Sequence, residues 1–68
     1  MHDKREYRTG LFELVLEMEF ADSPWRASIY KSGGQIPLRR TTRKTEKACL
    51  RWFDAFLTER ETVARQSQ

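Results

Sequence analysis

The sequence predicts an α+β domain in which a three-stranded antiparallel β-meander packs on one C-terminal α-helix, in the order β-β-β-α. Apolar side chains occupy every second position over residues 12–20, which is the period of a half-buried strand. Two segments rich in turn-forming residues follow, at 21–24 and 32–34. The last third of the chain has apolar residues at helical spacing, so one helix is expected to cover one face of the sheet.

The first strand is predicted over residues 11–20, the second over Trp25–Lys31 and the third over residues 35–41. The apolar face of the first strand is Phe12, Leu14, Leu16, Met18 and Phe20. The same segment has a second interpretation, because Leu11, Leu14, Val15 and Met18 also fall at helical spacing. A first helix in place of the first strand therefore stays open as an alternative.

Two loops, chosen separately, predict the pairing of the strands. A four-residue loop at 21–24 places Leu16 opposite Ile29, and a two-residue loop at Gly33 and Gly34 places Ile29 opposite Leu38. Both loops put Ile29, together with Trp25 and Ala27, on the buried face. In this register Arg40 points inward, whereas the outer face carries Glu13, Glu17, Glu19, Arg26 and Arg39. Pro37 cannot donate to a ladder, so the third strand is expected at an edge.

The helix is predicted from Thr42 or Thr45 to Arg65, because either threonine can serve as the N-cap. Its apolar stripe consists of Cys49, Trp52, Phe53, Phe56, Leu57, Val63 and Ala64. Cys49 lies on this stripe beside aromatic residues, so it is interpreted as a small core residue.

The chain of 68 residues has room for one small domain. We expect a flexible N-terminal segment at residues 1–9, the domain at residues 10–65 and a flexible tail at residues 66–68. No apolar run reaches the roughly 18 residues of a membrane span, and the polar N-terminus does not resemble a secretory signal. A cytoplasmic protein with no membrane partner is therefore expected.

The residues needed for catalysis or metal binding are scarce. The single cysteine excludes an internal disulfide and a cysteine-based zinc site, and the single histidine, His2, lies in the polar terminus. Glu13, Glu17 and Glu19 are interpreted as a solubilising face. The sequence therefore predicts a non-enzymatic protein with no catalytic residue, no metal, no cofactor and no small-molecule substrate.

The positive charge of the chain is concentrated in one stretch. Residues 39–51 contain six cations and one anion, Glu46, so this stretch carries +5 while the whole chain carries +3. A cluster of this kind can hold nucleic-acid phosphates, although it can also be an ordinary solvated face. The predicted nucleic-acid-binding residues are Arg39, Arg43, Lys44, Lys47 and Arg51.

A second interpretation is a protein-interaction or self-associating domain, such as a homodimer. In the predicted register Val15, Tyr30 and Pro37 form an apolar row on the outer face of the sheet. Such a row, together with the unpaired edges of a small sheet, is typical of a surface that meets a partner.

The segment that begins with WRASIYK, continues through the turn SGG and ends in the helical KTEKACLRWFDAFL resembles two families. These are the arm-type DNA-binding domains of phage integrases and the ethylene-response-factor domains of plants. The resemblance implies a three-stranded sheet on one C-terminal helix and binding of double-stranded DNA by the outer sheet face. It further implies that Arg26 and Arg39 contact bases or phosphates, on a face that Glu13, Glu17 and Glu19 share.

Overall fold

Four strands and one helix follow one another in this computed structural model, which describes the backbone of residues 3–66 and the side chains of residues 3–61. The elements are β1 (Asp3–Thr9), β2 (Phe12–Met18), β3 (Trp25–Lys31), β4 (Arg39–Arg43) and α1 (Glu46–Gln66). The strands form one antiparallel meander in the order β1-β2-β3-β4, with α1 on one face. The predicted α+β class and C-terminal helix are confirmed, but the strand count was wrong, because the sheet has four strands.

Several predictions concern parts of the chain outside the described residues. His2 and the end of the predicted tail, residues 67 and 68, belong to this group, as do the side chains of Val63 and Ala64 on the helical stripe. Among the described residues, no helix is both long and apolar enough to cross a membrane.

The additional strand β1 comes from the polar segment that the sequence analysis placed ahead of the domain. It pairs with β2 along its whole length, from Asp3 opposite Met18 to Thr9 opposite Phe12. The connection contains Gly10 at φ 55°, a conformation that glycine adopts without a Cβ clash. Its alternation places Tyr7 on the same side of the sheet as the helix, so this strand also contributes to the inner face.

The faces of β2 and β3 are confirmed, but their pairing differs by two residues from the prediction. Leu14 lies opposite Ile29, and Leu16 lies opposite Ala27. The connection is longer than four residues because Phe20 belongs to the turn, where its carbonyl oxygen accepts from the Ser23 N–H at 3.0 Å. Phe20 is 61% exposed, so its placement on the buried face was wrong. A shift of two residues leaves each other side chain on its predicted face.

The pairing of β3 and β4 differs by one residue, and this exchanges the faces of β4. Ile29 lies opposite Arg39 in place of Leu38. The connection that was predicted as a two-residue loop spans residues 32–38. At its end, the Leu38 N–H donates to the Ile29 carbonyl at 2.7 Å. Arg39 therefore lies on the helix side and Arg40 on the outer face, so both predicted orientations were wrong.

One small core lies between the sheet and the helix. It consists of Leu14, Leu16, Trp25, Ala27, Ile29, Cys49, Phe53 and Phe56. Phe56 also meets the half-buried Phe12 edge to face, with ring centroids 5.1 Å apart.

Thr45 is the N-cap of the helix, since its Oγ1 accepts from the Ala48 N–H at 3.1 Å. The last strand, β4, lies at an edge of the sheet, which confirms the prediction made for it.

The same substitution, made separately at two isoleucines, tests the arrangement of this core. Ile29 is fully buried, whereas Ile36 is 81% exposed. We expect Ile29→Ala to lower the free energy of unfolding by about 2–5 kcal/mol, because it leaves a cavity. Ile36→Ala should change it by less than about 0.5 kcal/mol. Urea denaturation followed by tryptophan fluorescence measures both values, and equal losses would contradict the arrangement of the core.

Candidate nucleic-acid interface

The predicted nucleic-acid-binding residues lie where the last strand leads into the helix. Arg39 and Arg43 are the first and last residues of β4, and Lys44 lies in the link to α1. Lys47 and Arg51 lie on the first turns of the helix, four residues apart and so on the same side of it. All five side chains are exposed. We call these five, together with the adjacent exposed Arg40, the basic edge.

The helix divides the basic edge into two flanks. Arg39 borders a shallow depression that it shares with Trp52, Ala55, Phe56 and Glu59. Lys47 and Arg51 border a different depression, which also includes Leu50, Phe53 and Asp54. Arg43 is held back along β4, where its Nη1 donates to Thr41 Oγ1 at 2.7 Å and to the Thr42 carbonyl at 3.2 Å. The structure thus brings Arg43, Lys44, Lys47 and Arg51 to the helix start and leaves Arg39 at the far end of β4.

Ion pairing distinguishes the basic edge from most of the other cations. Lys4 pairs with Glu6 at 3.6 Å, Arg8 with Glu13 at 3.2 Å, and Arg26 with Glu19. Arg5 pairs with Glu46 at 3.1 Å. Within the described part of the chain, no member of the basic edge forms an ion pair. Their charges are therefore available to an anionic ligand.

Glu46 is the one anion within residues 39–51, and the fold directs its side chain toward β1. Its Oε2 accepts from Arg5 Nε at 3.1 Å, and its Oε1 accepts from the Tyr7 hydroxyl at 3.1 Å. Arg5 thereby compensates the carboxylate charge. The contact also joins the outermost strand to the first turn of the helix. The Glu46 side chain therefore connects β1 to α1, and its negative charge is already paired with Arg5.

The outer face of the sheet contains a shallow groove of about 490 Å³. Its lining includes the side chains of Glu17, Arg26, Ser28, Tyr30, Arg40 and Thr42. Arg40, and not Arg39, shares this face with Arg26, because of the one-residue shift in β4. On this face Lys4, Arg8 and Arg26 each pair with a carboxylate, and Arg40, a member of the basic edge, lies in the groove with Glu17. The outer face accordingly lacks the charge excess found at the basic edge.

The predicted apolar row on the outer face is divided by the observed pairing. Val15 lies opposite Ser28, and Tyr30 lies opposite Glu13, so the two side chains share a face without being cross-strand partners. Pro37 lies in the connection before β4, outside the strands.

Cys49 is a fully buried core residue, as predicted from its position on the stripe. Burial raises the pKa of its thiol, and the nearby Arg43 only partly opposes this effect. Its Sγ lies 4.0 Å from the Trp25 carbonyl oxygen. Over residues 3–61, no group of three or more His, Cys, Asp or Glu side chains could hold a metal ion.

No protein-family model, no curated protein and no solved structure matches this chain. The resemblance to the integrase and ethylene-response-factor domains therefore stays a prediction.

Tyr7 reports on the contact with Glu46. Partial burial, the hydrogen bond to Glu46 and the charge of that carboxylate all raise the pKa of Tyr7, while Arg5 lowers it. A tyrosine whose pKa is higher in the folded state stabilises that state at every pH below its pKa in the unfolded chain, which is about 10. This contribution to stability is lost as the pH rises through the pKa of the folded state.

We expect Glu46→Gln to move the pKa of Tyr7 back toward its ordinary value, because the negative charge beside the phenol is removed. Ultraviolet titration in a Tyr30→Phe background isolates this tyrosine. An unchanged titration curve would show that Tyr7 does not contact Glu46.

Proposed function

We propose that this protein is a small, non-enzymatic module that binds the phosphate backbone of nucleic acid through the basic edge. One observation carries the proposal: six exposed cations lie within thirteen residues and form no ion pair with a described carboxylate. Long basic side chains that remain in water can exchange their counterions for phosphates, and the released counterions favour binding.

The position of the cations supports a backbone ligand more than a base-specific one. The members of the basic edge lie around the margin of the sheet and along one side of a helix, and they are not grouped in a deep pocket. Contacts with phosphates position a protein on nucleic acid without reading its sequence. We therefore propose binding that depends strongly on salt and weakly on sequence.

The proposal is tested with a labelled duplex DNA and fluorescence anisotropy over a series of salt concentrations. We expect Lys44→Gln, Lys47→Gln and Arg51→Gln together to weaken binding by at least about tenfold. The slope of log K against log salt should fall by about three, if each side chain contacts one phosphate.

A matched control removes three charges from the outer face through Lys4→Gln, Arg8→Gln and Arg26→Gln. The net charge of the two variants is the same, but the control removes cations that are ion-paired on the outer face. The control should bind nearly as well as the unmodified protein. Equal losses in both variants, or no binding by the unmodified protein at low salt, would refute the proposal for the basic edge. A loss of binding in the control variant alone would place the interface on the outer face.

A protein-interaction or self-associating domain is the second candidate function. The observation that favours it is a set of large apolar side chains left exposed on a small chain: Leu11, Phe20, Ile36 and Leu38. β1 and β4 are also open edges of the sheet. A concentration-dependent dimer in sedimentation equilibrium, with no binding to nucleic acid at low salt, would favour this function over the first.

A further inference from the structure

The connection between β3 and β4 carries apolar side chains that do not contribute to the core. Ile36 is 81% exposed and Leu38 is 37% exposed, and neither belongs to the packed cluster between sheet and helix. The neighbouring connection holds a third, Leu11, which is 68% exposed. The Ser32 N–H donates to the Leu11 carbonyl at 2.6 Å and keeps the two connections together. Exposed aliphatic groups concentrated at one end of a small domain indicate a contact surface.

The backbone holds this connection in place at both ends. The Gly34 N–H donates to the Lys31 carbonyl at 2.7 Å and closes a tight turn with Gly33 at φ 79°. At the other end the Leu38 N–H donates to the Ile29 carbonyl at 2.7 Å. We call the segment between these anchors, residues 35–38, the wedge loop.

Proline stiffens the wedge loop. Pro37 fixes its own φ and restricts the preceding residue, Ile36, to extended backbone. The most exposed large apolar side chain of the described residues is thus presented on a short, restrained segment.

The sequence on both sides of the wedge loop is positively charged, which favours an anionic occupant. Residues 23–45 contain no aspartate or glutamate, and Lys31 precedes the loop while Arg39 and Arg40 follow it. A second copy of the chain would bring like charges together across a two-fold axis.

The cations continue away from the loop along β4 and into the helix start. The strand of 5 residues alone extends about 17 Å. A bilayer would need its cations in one plane around the inserted group, whereas these cations are spread along β4 and at the helix start, where an extended polyanion can meet them.

We infer that the wedge loop inserts Ile36 between stacked base pairs in the minor groove of duplex nucleic acid while the basic edge holds the phosphates. The inference rests on the proposed function and specifies its ligand as a duplex that is bent on binding. Exposed Ile, Leu and Pro side chains beside cations suit this role, because an apolar wedge can unstack a base step that basic groups hold in place.

The experiment uses a duplex of about two helical turns with a donor and an acceptor dye at its ends and a 2-aminopurine base within it. The unmodified protein should bring the dyes closer and raise the 2-aminopurine fluorescence. Ile36→Ser should abolish both changes and weaken binding by about tenfold, with an unchanged salt slope because no charge is lost. The control Phe20→Ser removes a similarly exposed apolar group at the opposite end of the sheet and should leave all three measurements unchanged.

The outcomes separate this inference from the function on which it rests. Binding to the duplex without distortion, or distortion that persists in Ile36→Ser, overturns the wedge and leaves the basic edge as the interface. No binding to the duplex at low salt overturns both. If the duplex stays undistorted and Ile36→Ser abolishes binding to phosphatidylglycerol vesicles, the loop contacts a bilayer. If the duplex stays undistorted and Ile36→Ser abolishes a dimer, the loop contacts a second copy. Either result would overturn the wedge as well.

Discussion

The burial of Trp25, Ala27 and Ile29 beneath α1 is the constraint from which the other features of this domain follow. These residues lie on β3, which pairs with β2 on one side and β4 on the other, so the position of the helix over β3 determines which side chains of the whole sheet are covered. Ala27 is small and almost fully buried, which leaves space for the aromatic side chains of the helix. Because the apolar stripe of α1 faces the sheet, Lys47 and Arg51 must face water.

The parts of the fold that depend on local periodicity could be predicted from the sequence. Alternation identified the inner faces of β2 and β3, and helical spacing identified Cys49, Phe53 and Phe56 as core residues. The pairing of the strands depends on loop conformation, which alternation does not determine. A shift of two residues between β2 and β3 left the faces unchanged, whereas a shift of one residue at β4 exchanged the faces of Arg39 and Arg40.

Contacts between distant parts of the chain explain what sequence analysis missed. Strand β1 contains one large apolar residue, Tyr7, and that residue is held by Glu46, which lies 39 positions away. The local signal for β1 was Gly10 in the tight connection to β2. The same limit applies to the candidate site. The run of cations was visible in the sequence, but which of them lack a carboxylate partner depends on where the chain places Glu13, Glu19 and Glu46.

The two edges of the sheet differ in the charges that line them. Both β1 and β4 are open edges, and charged side chains protect such edges from pairing with other chains. On β1 this protection comes from charges of both signs, since Lys4, Arg5 and Arg8 each pair with a carboxylate. β4 has cations alone, and the nearest anion in sequence, Glu46, is turned toward β1. The cations of β4, which form no ion pair with a described carboxylate, support the proposal that this edge meets an anionic ligand.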